Sequence, residues 1–408
     1  MGKNRQKNNN LSNQTNDEIL TEKNIEPSNN QVNAADGQKQ ANKSAKKPIA
    51  ALDTLWFALD YGNILSGYSL YKAVESLNCE PLLMNKPENL WSDHYAEVDN
   101  IAGKFIYKNC NVADVCHTPD DLAKIVDKSD VFVLGSNMVW SYDICGKQVD
   151  YHYYFDYVPQ NKKKISYGSS FGYTYTGPFG EQMKSCARML SSFNGLSVNQ
   201  YIDAEFIHNR FGLNAEIVLD PVFICDKSYF EKCASEAPAK SVENDNTFIF
   251  TYIKRGNERK REFVMRGDDI LTPNNYSPMR NFIDINRYPE SKEMLGLDPA
   301  YHITVNDWLY YLINSEFVIT DDYYGVCFAL IFNKPFVFIE SENYPGMNMV
   351  YTLLSSLGIE ERIVKTEDDY KRKEYLFRMP IRYKNVNKVL DMMRNESYEW
   401  LKSMLDVQ

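Results

Sequence analysis

The stretch that opens with Val318–Thr320 constrains the fold of this chain more than any other. This apolar run is stopped by two carboxylates, and the apolar residues at 328–332 predict a helix inside the protein. An Asn-Lys-Pro sequence ends that helix, and the apolar run at 336–339 is typical of a strand buried on both faces of a parallel sheet. Ligands bind at the carboxyl ends of such strands, so the turn at 321–325 is the leading site candidate.

Strand patterns and helix patterns alternate along most of the remaining chain. A first buried strand is predicted at 54–59, leading into a loop of turn formers at 60–63. Thr118-Pro119 predicts a capped helix start. The charged stretch at 254–268 is interpreted as an interruption before the structure resumes at Ile270. Further strands are predicted at 81–84, 131–134, 164–167, 196–198, 215–219 and 248–253. This alternation predicts an α/β fold with parallel sheets covered on both faces.

Length and composition predict how the chain is divided. A chain of 408 residues exceeds the roughly 250–300 residues that one core supports, so two domains are expected. Residues 1–50 lack aromatic side chains and are rich in Asn and Gln, which predicts a disordered polar arm. A segment rich in Ser, Ala and Glu separates the predicted domains 51–235 and 236–385. The amphipathic end, 386–408, is predicted to be a helix that packs near the domain seam.

Charge and cysteine usage exclude several classes of function. The chain carries a net charge of −10 while its first 50 residues are net basic, so the folded part is acidic and nucleic acid is not expected as a partner. No apolar stretch reaches the 18 or so residues that span a bilayer, and no export signal is recognised, so the expected location is the cytoplasm. The cysteines form no CxxC pair, and Cys110, Cys116 and His117 lack a second matched pair, so no metal site is expected.

Six short motifs occur in a fixed order along the chain. They are Asp60-Tyr61-Gly62-Asn63-Ile64-Leu65-Ser66, Gly135-Ser136-Asn137-Met138-Val139-Trp140, Ser166-Tyr167-Gly168-Ser169-Ser170-Phe171-Gly172, Ser197-Val198-Asn199-Gln200, Asp220-Pro221 and Asp321-Asp322-Tyr323-Tyr324-Gly325. In this order they resemble the motifs of the polysaccharide pyruvyl transferase family, over about Trp56 to Ile363. The resemblance implies two Rossmann-like domains facing a cleft, a GT-B-like fold. It also implies transfer of pyruvate from phosphoenolpyruvate, as a ketal, to a sugar of a cell-surface polysaccharide or its precursor.

Several positions depart from the motifs of that family. The family has Asp-Gln where this chain has Asn137-Met138, Arg-Glu where it has Asn199-Gln200, and His where it has Tyr324. An Arg usually found near 347–349 is also absent. These changes remove charged or titrating groups while the glycines and the apolar frame remain. This pattern is typical of altered or lost chemistry on a retained scaffold.

The chemistry implied by the resemblance needs a proton donor for the vinyl carbon, a base for the attacking hydroxyl, and cations for phosphate and carboxylate. Lys254 and Arg255 follow a predicted strand and, with Gly325, form the predicted donor site. The predicted catalytic residues are Tyr324, Asp321 and Asp322. The alternative for the basic pair is a solvated charged loop, and the alternative for the two carboxylates is turn capping.

The predicted acceptor site lies in the first domain. Its residues are Asp60, Tyr61, Asn63, Ser169, Ser170 and Asn199. Small polar residues of this kind also serve tight strand-to-helix turns, which is the alternative for them. Phosphoenolpyruvate is expected as co-substrate, with no cofactor or metal, and the partner is a sugar or glycan acceptor. A lipid-linked acceptor would bring the protein close to a membrane.

Two other functions fit the same residues. The first is a catalytically inactive, glycan-binding family member, favoured by the missing charged groups. The second is a GT-B-like glycosyltransferase that uses a nucleotide sugar. Fold analogy does not separate these functions from pyruvyl transfer.

Overall fold

A computed structural model describes residues 46–57, 60–86, 100–141, 151–172, 181–238, 248–255, 258–271, 280–282, 303–341 and 346–406. The predicted arm at 1–50 therefore falls mostly outside the described residues, as does most of the predicted seam. The strands of the described residues are β1 (Ile49–Asp53), β2 (Glu80–Asn85), β3 (Val112–Val115), β4 (Val131–Asn137), β5 (Lys163–Ser169), β6 (Ser197–Val198), β7 (Glu216–Ile217), β8 (Phe248–Tyr252), β9 (Arg280–Phe282), β10 (Phe317–Thr320), β11 (Phe336–Ile339) and β12 (Ile363–Val364).

The helices alternate with these strands. They are α1 (Tyr61–Ser76), α2 (Ile101–Asn109), α3 (Pro119–Lys128), α4 (Glu181–Leu190), α5 (Tyr201–Phe211), α6 (Pro221–Ile224), α7 (Lys227–Ser235), α8 (Glu258–Leu271), α9 (Val305–Asn314), α10 (Tyr323–Ile331), α11 (Met347–Ser356), α12 (Glu367–Arg372) and α13 (Tyr383–Leu405). None of the described helices is both long enough and apolar enough to span a membrane.

The first sheet is parallel, and its strand order places a switch point beside β1. The order is β3-β2-β1-β4-β5-β6-β7, so the chain moves to one side of β1 and then returns to its other side at β4. In sheets of this kind, ligands bind outside the carboxyl ends of the two strands at such a reversal. The loop that leaves β1 leads to Asp60 and the start of α1.

The second sheet is also parallel and repeats this arrangement. Its order is β12-β11-β10-β8-β9, so the reversal lies between β8 and β10, which pair directly. The carboxyl ends of these two strands lead into Lys254-Arg255 and Asp321-Asp322. The predicted α/β class with two parallel sheets is confirmed.

The opening stretch of the sequence folds as predicted, with one refinement. β10, α10 and β11 follow one another, and every residue of all three elements is buried. The helix begins at Tyr323, so Tyr324 and Gly325 lie in its first turn and not in a loop. A Cβ atom added at Gly325 would lie 2.3 Å from Oγ1 of Thr320, so glycine is required where the helix packs closely on β10.

Two local predictions are wrong. The first strand is Ile49–Asp53 and not 54–59, because the run Ile49-Ala50-Ala51-Leu52 pairs with β2 and β4, while Trp56 and Phe57 lie in a turn. The stretch at 258–271 is a helix and not an interruption. Its charged residues are mostly exposed, and Phe263 and Val264 lie on its buried face.

The C-terminal helix α13 contacts residues associated with both sheets. At its start, the Tyr383 hydroxyl donates to the carbonyl of Lys334, beside β11. Further along, the Ser397 hydroxyl accepts from the backbone N–H of Leu219, which follows β7. The domain boundaries at 50, 235 and 385 stay predictions.

Candidate functional site

Asp321 organises the loop that follows β8. Its side chain is fully buried and accepts hydrogen bonds from the backbone N–H groups of Lys254 at 2.7 Å and Arg255 at 2.9 Å. It also accepts from the Lys260 ammonium at 2.7 Å and from the Ser341 hydroxyl at 3.1 Å. Oδ1 accepts from the N–H of Lys254, and Oδ2 accepts from the other three donors. The contacts of Asp321 are therefore those of a residue that fixes the backbone beneath the site.

Lys260 is a site residue that sequence reasoning missed. Its side chain is only 2% exposed and its ion pair with Asp321 is buried. Burial lowers the pKa of Lys260, and the Asp321 carboxylate opposes that shift. A signal was present in the sequence, because Lys260, Phe263, Val264 and Gly267 follow helical spacing and form the buried face of α8.

Lys254 joins the loops of the two sheets. Its ammonium donates to Asp322 at 2.8 Å, beside the carboxyl end of β10, and forms a second ion pair with Asp60, in the loop that follows β1. Burial opposes the charge on Lys254, but the Asp322 and Asp60 carboxylates raise its pKa above the ordinary value. At neutral pH the ammonium is charged and held between two carboxylates.

Both carboxylates in this bridge are also helix N-caps. Asp60 accepts from the N–H groups of Gly62 at 2.9 Å and Asn63 at 3.2 Å, and Asp322 accepts from the N–H of Tyr324 at 2.9 Å. Burial raises the pKa of Asp322 despite the opposing effect of Lys254. The pKa of Asp60 is lowered, because Lys254 and the backbone donors outweigh the effect of burial.

Tyr324 extends from α10 to α1 and to Asp220, the N-cap of α6. Its ring lies against the backbone of Gly62, where an added Cβ would be 1.9 Å from the ring atom Cδ2. Its hydroxyl donates to Asp220 at 3.3 Å, and the Ser66 hydroxyl donates to the same carboxyl at 3.1 Å. Burial raises the pKa of Asp220 to about 6, although the hydrogen bonds from Val222, Ser66 and Tyr324 oppose this. Burial also raises the pKa of Tyr324, so its hydroxyl stays protonated at neutral pH.

A pocket of about 130 Å³ lies at this junction of the two sheets. It is lined by Asp60, Asn63, Met138, Lys254, Arg255, Asp322, Tyr323, Tyr324, Gly346 and Met349. The lining combines residues predicted for the donor site, for catalysis and for the acceptor site. Met138, Tyr323, Gly346 and Met349 were not named as site residues, although Met138 and Tyr323 lie in motifs quoted above and Met349 lies where the family Arg is absent.

The other predicted site residues lie outside this lining. Tyr61 is buried, donates from its hydroxyl to the carbonyl of Ile303 at 3.0 Å, and stacks on Trp308 at 5.9 Å. Asp321 lies beneath the pocket, and Gly325 packs on β10.

The remaining predicted acceptor residues follow β5 and β6. The Ser169 hydroxyl donates to the Leu134 carbonyl at 3.4 Å, and the Ser170 hydroxyl accepts from the N–H of Gly172 at 2.9 Å. The side-chain amide of Asn199 is buried, and neither of its polar atoms has a hydrogen-bond partner among the described residues. None of these three residues is among the residues that line the pocket containing Lys254.

Comparison with known proteins decides the family. The model of the family described as polysaccharide pyruvyl transferase matches residues 60–343, more than two thirds of the chain. The chain belongs to the polysaccharide pyruvyl transferase family. No curated protein sequence matches it significantly.

Several solved structures are similar to this family member. A glycosyltransferase from Rickettsia africae is 14% identical with a TM-score of 0.50, and the alignment covers 89% of this chain and 100% of that one. A UDP-GlcNAc 2-epimerase from Neisseria meningitidis is 8% identical with a TM-score of 0.47, covering 89% and 95% of the two chains. A mutant O-GlcNAc transferase from Thermobaculum terrenum is 12% identical with a TM-score of 0.46, covering 88% and 66%. The predicted GT-B-like fold is confirmed.

The two carboxylates that contact Lys254, Asp60 and Asp322, both belong to the motifs quoted above. Among the described residues, no group of three or more His, Cys, Asp or Glu is arranged to hold a metal ion.

Proposed function

We propose that this family member transfers pyruvate from phosphoenolpyruvate, as a ketal, to a hydroxyl pair on a sugar of a cell-surface polysaccharide or its precursor. One observation supports this most strongly. A single pocket gathers Lys254, Arg255 and Tyr324 from the second sheet's side with Asp60 and Asn63 from the first. A donor and an acceptor bound at the two carboxyl edges would meet there.

Each residue has a role in this proposal. Lys254 and Arg255 pair with the phosphate and carboxylate of the donor, since charge-assisted hydrogen bonds to such groups are the strongest that a protein forms. Tyr324 keeps its proton, and on breaking its hydrogen bond to Asp220 its hydroxyl would donate to the phosphate of the donor. Asn63 and Asp60 contact the acceptor sugar. The proposal includes no cofactor and no metal, and its proposed location is the cytoplasm. A lipid-linked acceptor would bring it close to the membrane.

The test is phosphate release and product mass with candidate glycans, in the wild type and in Arg255→Ala. Loss of one charge-assisted contact should lower phosphoenolpyruvate affinity about ten- to hundredfold. Arg261→Ala is the matched control, because Arg261 is exposed on α8 and does not line the pocket. Absence of both phosphoenolpyruvate binding and transfer in the wild type would rule the proposal out.

A second candidate is a glycan-binding protein that carries out no transfer. The balance of charge favours it, because Lys254 and Lys260 are both paired with aspartates of the site. Glycan binding without phosphate release would support this function. Thermal stabilisation by a nucleotide sugar, and none by phosphoenolpyruvate, would instead indicate a GT-B-like glycosyltransferase.

A further inference from the structure

Asp60 contacts its partners through two different oxygens. Oδ1 accepts from the N–H groups of Gly62 and Asn63 and so caps α1. Oδ2 forms the ion pair with Lys254. Capping the helix and holding the lysine are therefore separate contacts, and one can be lost while the other remains.

The two carboxylates around Lys254 are not equivalent. The Asp322 side chain is 3% exposed and belongs to the same sheet edge as Lys254, whereas the Asp60 side chain is 23% exposed and comes from the first sheet's loop. Both line the pocket. A ligand anion that enters the pocket competes with these carboxylates for the Lys254 ammonium, and Asp60 is the more accessible of the two.

Charge in the lining is balanced before any ligand arrives. Among the described residues of the lining, Lys254 and Arg255 are the cations, and Asp60 and Asp322 are the carboxylates. Beneath the lining, the charge of Lys260 is matched by Asp321. A donor with a phosphate and a carboxylate would add at least two negative charges, and like charges in a partly buried site repel strongly.

We propose that Asp60 determines how tightly the pocket binds an anionic donor: its Oδ2 pairs with the Lys254 ammonium in the place of a ligand anion, so that phosphoenolpyruvate competes with it for this cation. This inference rests on the proposed donor site. An anionic donor binds only by displacing Asp60 from Lys254, and this displacement lowers its affinity. Removing the charge of Asp60 therefore increases anion binding, whereas removing a residue that merely supports the fold would not.

Asp60→Asn tests this directly, because it keeps the capping oxygen and replaces the oxygen that contacts Lys254 with an amide NH₂. Asn and Asp are equally good helix N-caps. Asp226→Asn is the matched control, since Asp226 caps α7 through a 2.8 Å bond from the Ser228 N–H and does not line the pocket. Asp60→Ser is a second neutral cap in case the amide is poorly tolerated. Thermal unfolding without ligand verifies that each variant is folded.

The measurement is calorimetric titration with phosphoenolpyruvate and, separately, with inorganic phosphate at low ionic strength. We expect Asp60→Asn and Asp60→Ser to bind phosphoenolpyruvate at least about tenfold more tightly than the wild type, because one repelling charge is gone. Asp226→Asn should match the wild type. Adding Lys254→Met to Asp60→Asn should remove the gain.

The outcomes separate this inference from the proposed function. If phosphoenolpyruvate binds the wild type and the Asp60 variants equally, the role of Asp60 is refuted and the donor site stands. If the Asp60 variants gain affinity but the wild type pyruvylates no glycan, the role of Asp60 stands and the transferase proposal fails. If neither anion binds any variant, both are refuted, because Lys254 released from Asp60 still captures no anion.

Discussion

Two fully buried aspartates lie at the carboxyl edges of the two sheets, and their partners differ in kind. Asp321, after β10, is contacted by the Lys260 ammonium and by two backbone N–H groups. Asp220, after β7, is contacted by the hydroxyls of Ser66 and Tyr324 and by one backbone N–H.

The comparison shows that burial alone does not determine the protonation state of a carboxyl group. Among the described residues no cation contacts Asp220, and its pKa is raised to about 6 by burial. The tyrosines and the cysteine that interact with it are neutral at pH 7, because their own pKa values are also raised: Tyr167, Tyr323, Tyr324 and Cys327. The edge of the second sheet thus contains the buried ion pair of Asp321 and Lys260. The edge of the first sheet contains the Asp220 carboxyl group, which gains or loses a proton near neutral pH.

The largest expected effect comes from removing the cation of the Asp321 pair. Lys260→Met should lower the free energy of unfolding by about 3–5 kcal/mol, because it leaves a buried carboxylate without its partner charge. Urea denaturation at pH 7 measures this. Lys402→Met, which removes an exposed ion pair with Glu399, is the control and should change stability by less than about 0.5 kcal/mol. A loss below about 1 kcal/mol for Lys260→Met would show that the pair does not hold this edge together.

The Asp220 carboxyl should make stability depend on pH in the opposite sense to an ion-paired aspartate. Its folded-state pKa of about 6 exceeds the ordinary value of 3.8. At pH values between these two, the folded state binds more protons than the unfolded state, so the free energy of unfolding falls as the pH rises. From pH 4 to pH 7 this group should cost about 2 kcal/mol of unfolding free energy. Asp220→Asn lacks this titration. Denaturation of both proteins at each pH gives the difference between their free energies of unfolding. As the pH rises from 4 to 7, this difference should shift by about 2 kcal/mol in favour of the variant. A difference that does not change with pH would contradict the role of Asp220.

The smallest expected effect on the free energy of unfolding comes from removing the Tyr324 hydroxyl. Tyr324 follows Asp321 and Asp322 in the sequence, and its hydroxyl contacts Asp220. Tyr324→Phe keeps the ring against Gly62 and removes one hydrogen bond, so we expect a loss of about 1 kcal/mol at pH 7. Ser66→Ala, which removes the other hydroxyl donor to Asp220, should cost a similar amount. If Tyr324→Phe is as destabilising as Lys260→Met, the hydroxyl contact of Asp220 stabilises its edge as strongly as the ion pair of Asp321 stabilises the other, and the contrast fails.

Much of the fold could be predicted from the sequence because its signals are local. The buried strand, helix and strand around 317–339 follow from continuous apolar runs, and the capped start of α3 follows from Thr118-Pro119. Where local signals conflicted, the prediction was wrong: aromatic residues at 54–59 suggested a strand, but the sheet pairs the preceding residues. The dense charge at 254–268 concealed the helical spacing of Lys260 and its apolar neighbours.

The site was predictable only in part. Lys254, Arg255 and Asp322 could be placed near one another because parallel strands bring their carboxyl ends to one edge of a sheet. The contact between Asp60 and Lys254 joins residues 194 positions apart and has no signal in either neighbourhood. The same is true of Tyr324 and Asp220, which are 104 positions apart.

The sequence by itself determined most of the elements, the parallel α/β class and the family, because apolar periodicity, turn residues and ordered motifs are properties of short segments. Only the tertiary structure decided which carboxylate each cation meets, and hence which groups are charged. Protonation depends on burial and on the partner across the junction of the two sheets, and both are set by packing between distant segments. This is why the same residue, aspartate, forms a salt bridge at position 321, a helix cap that also holds a lysine at position 60, and a weak buried acid at position 220.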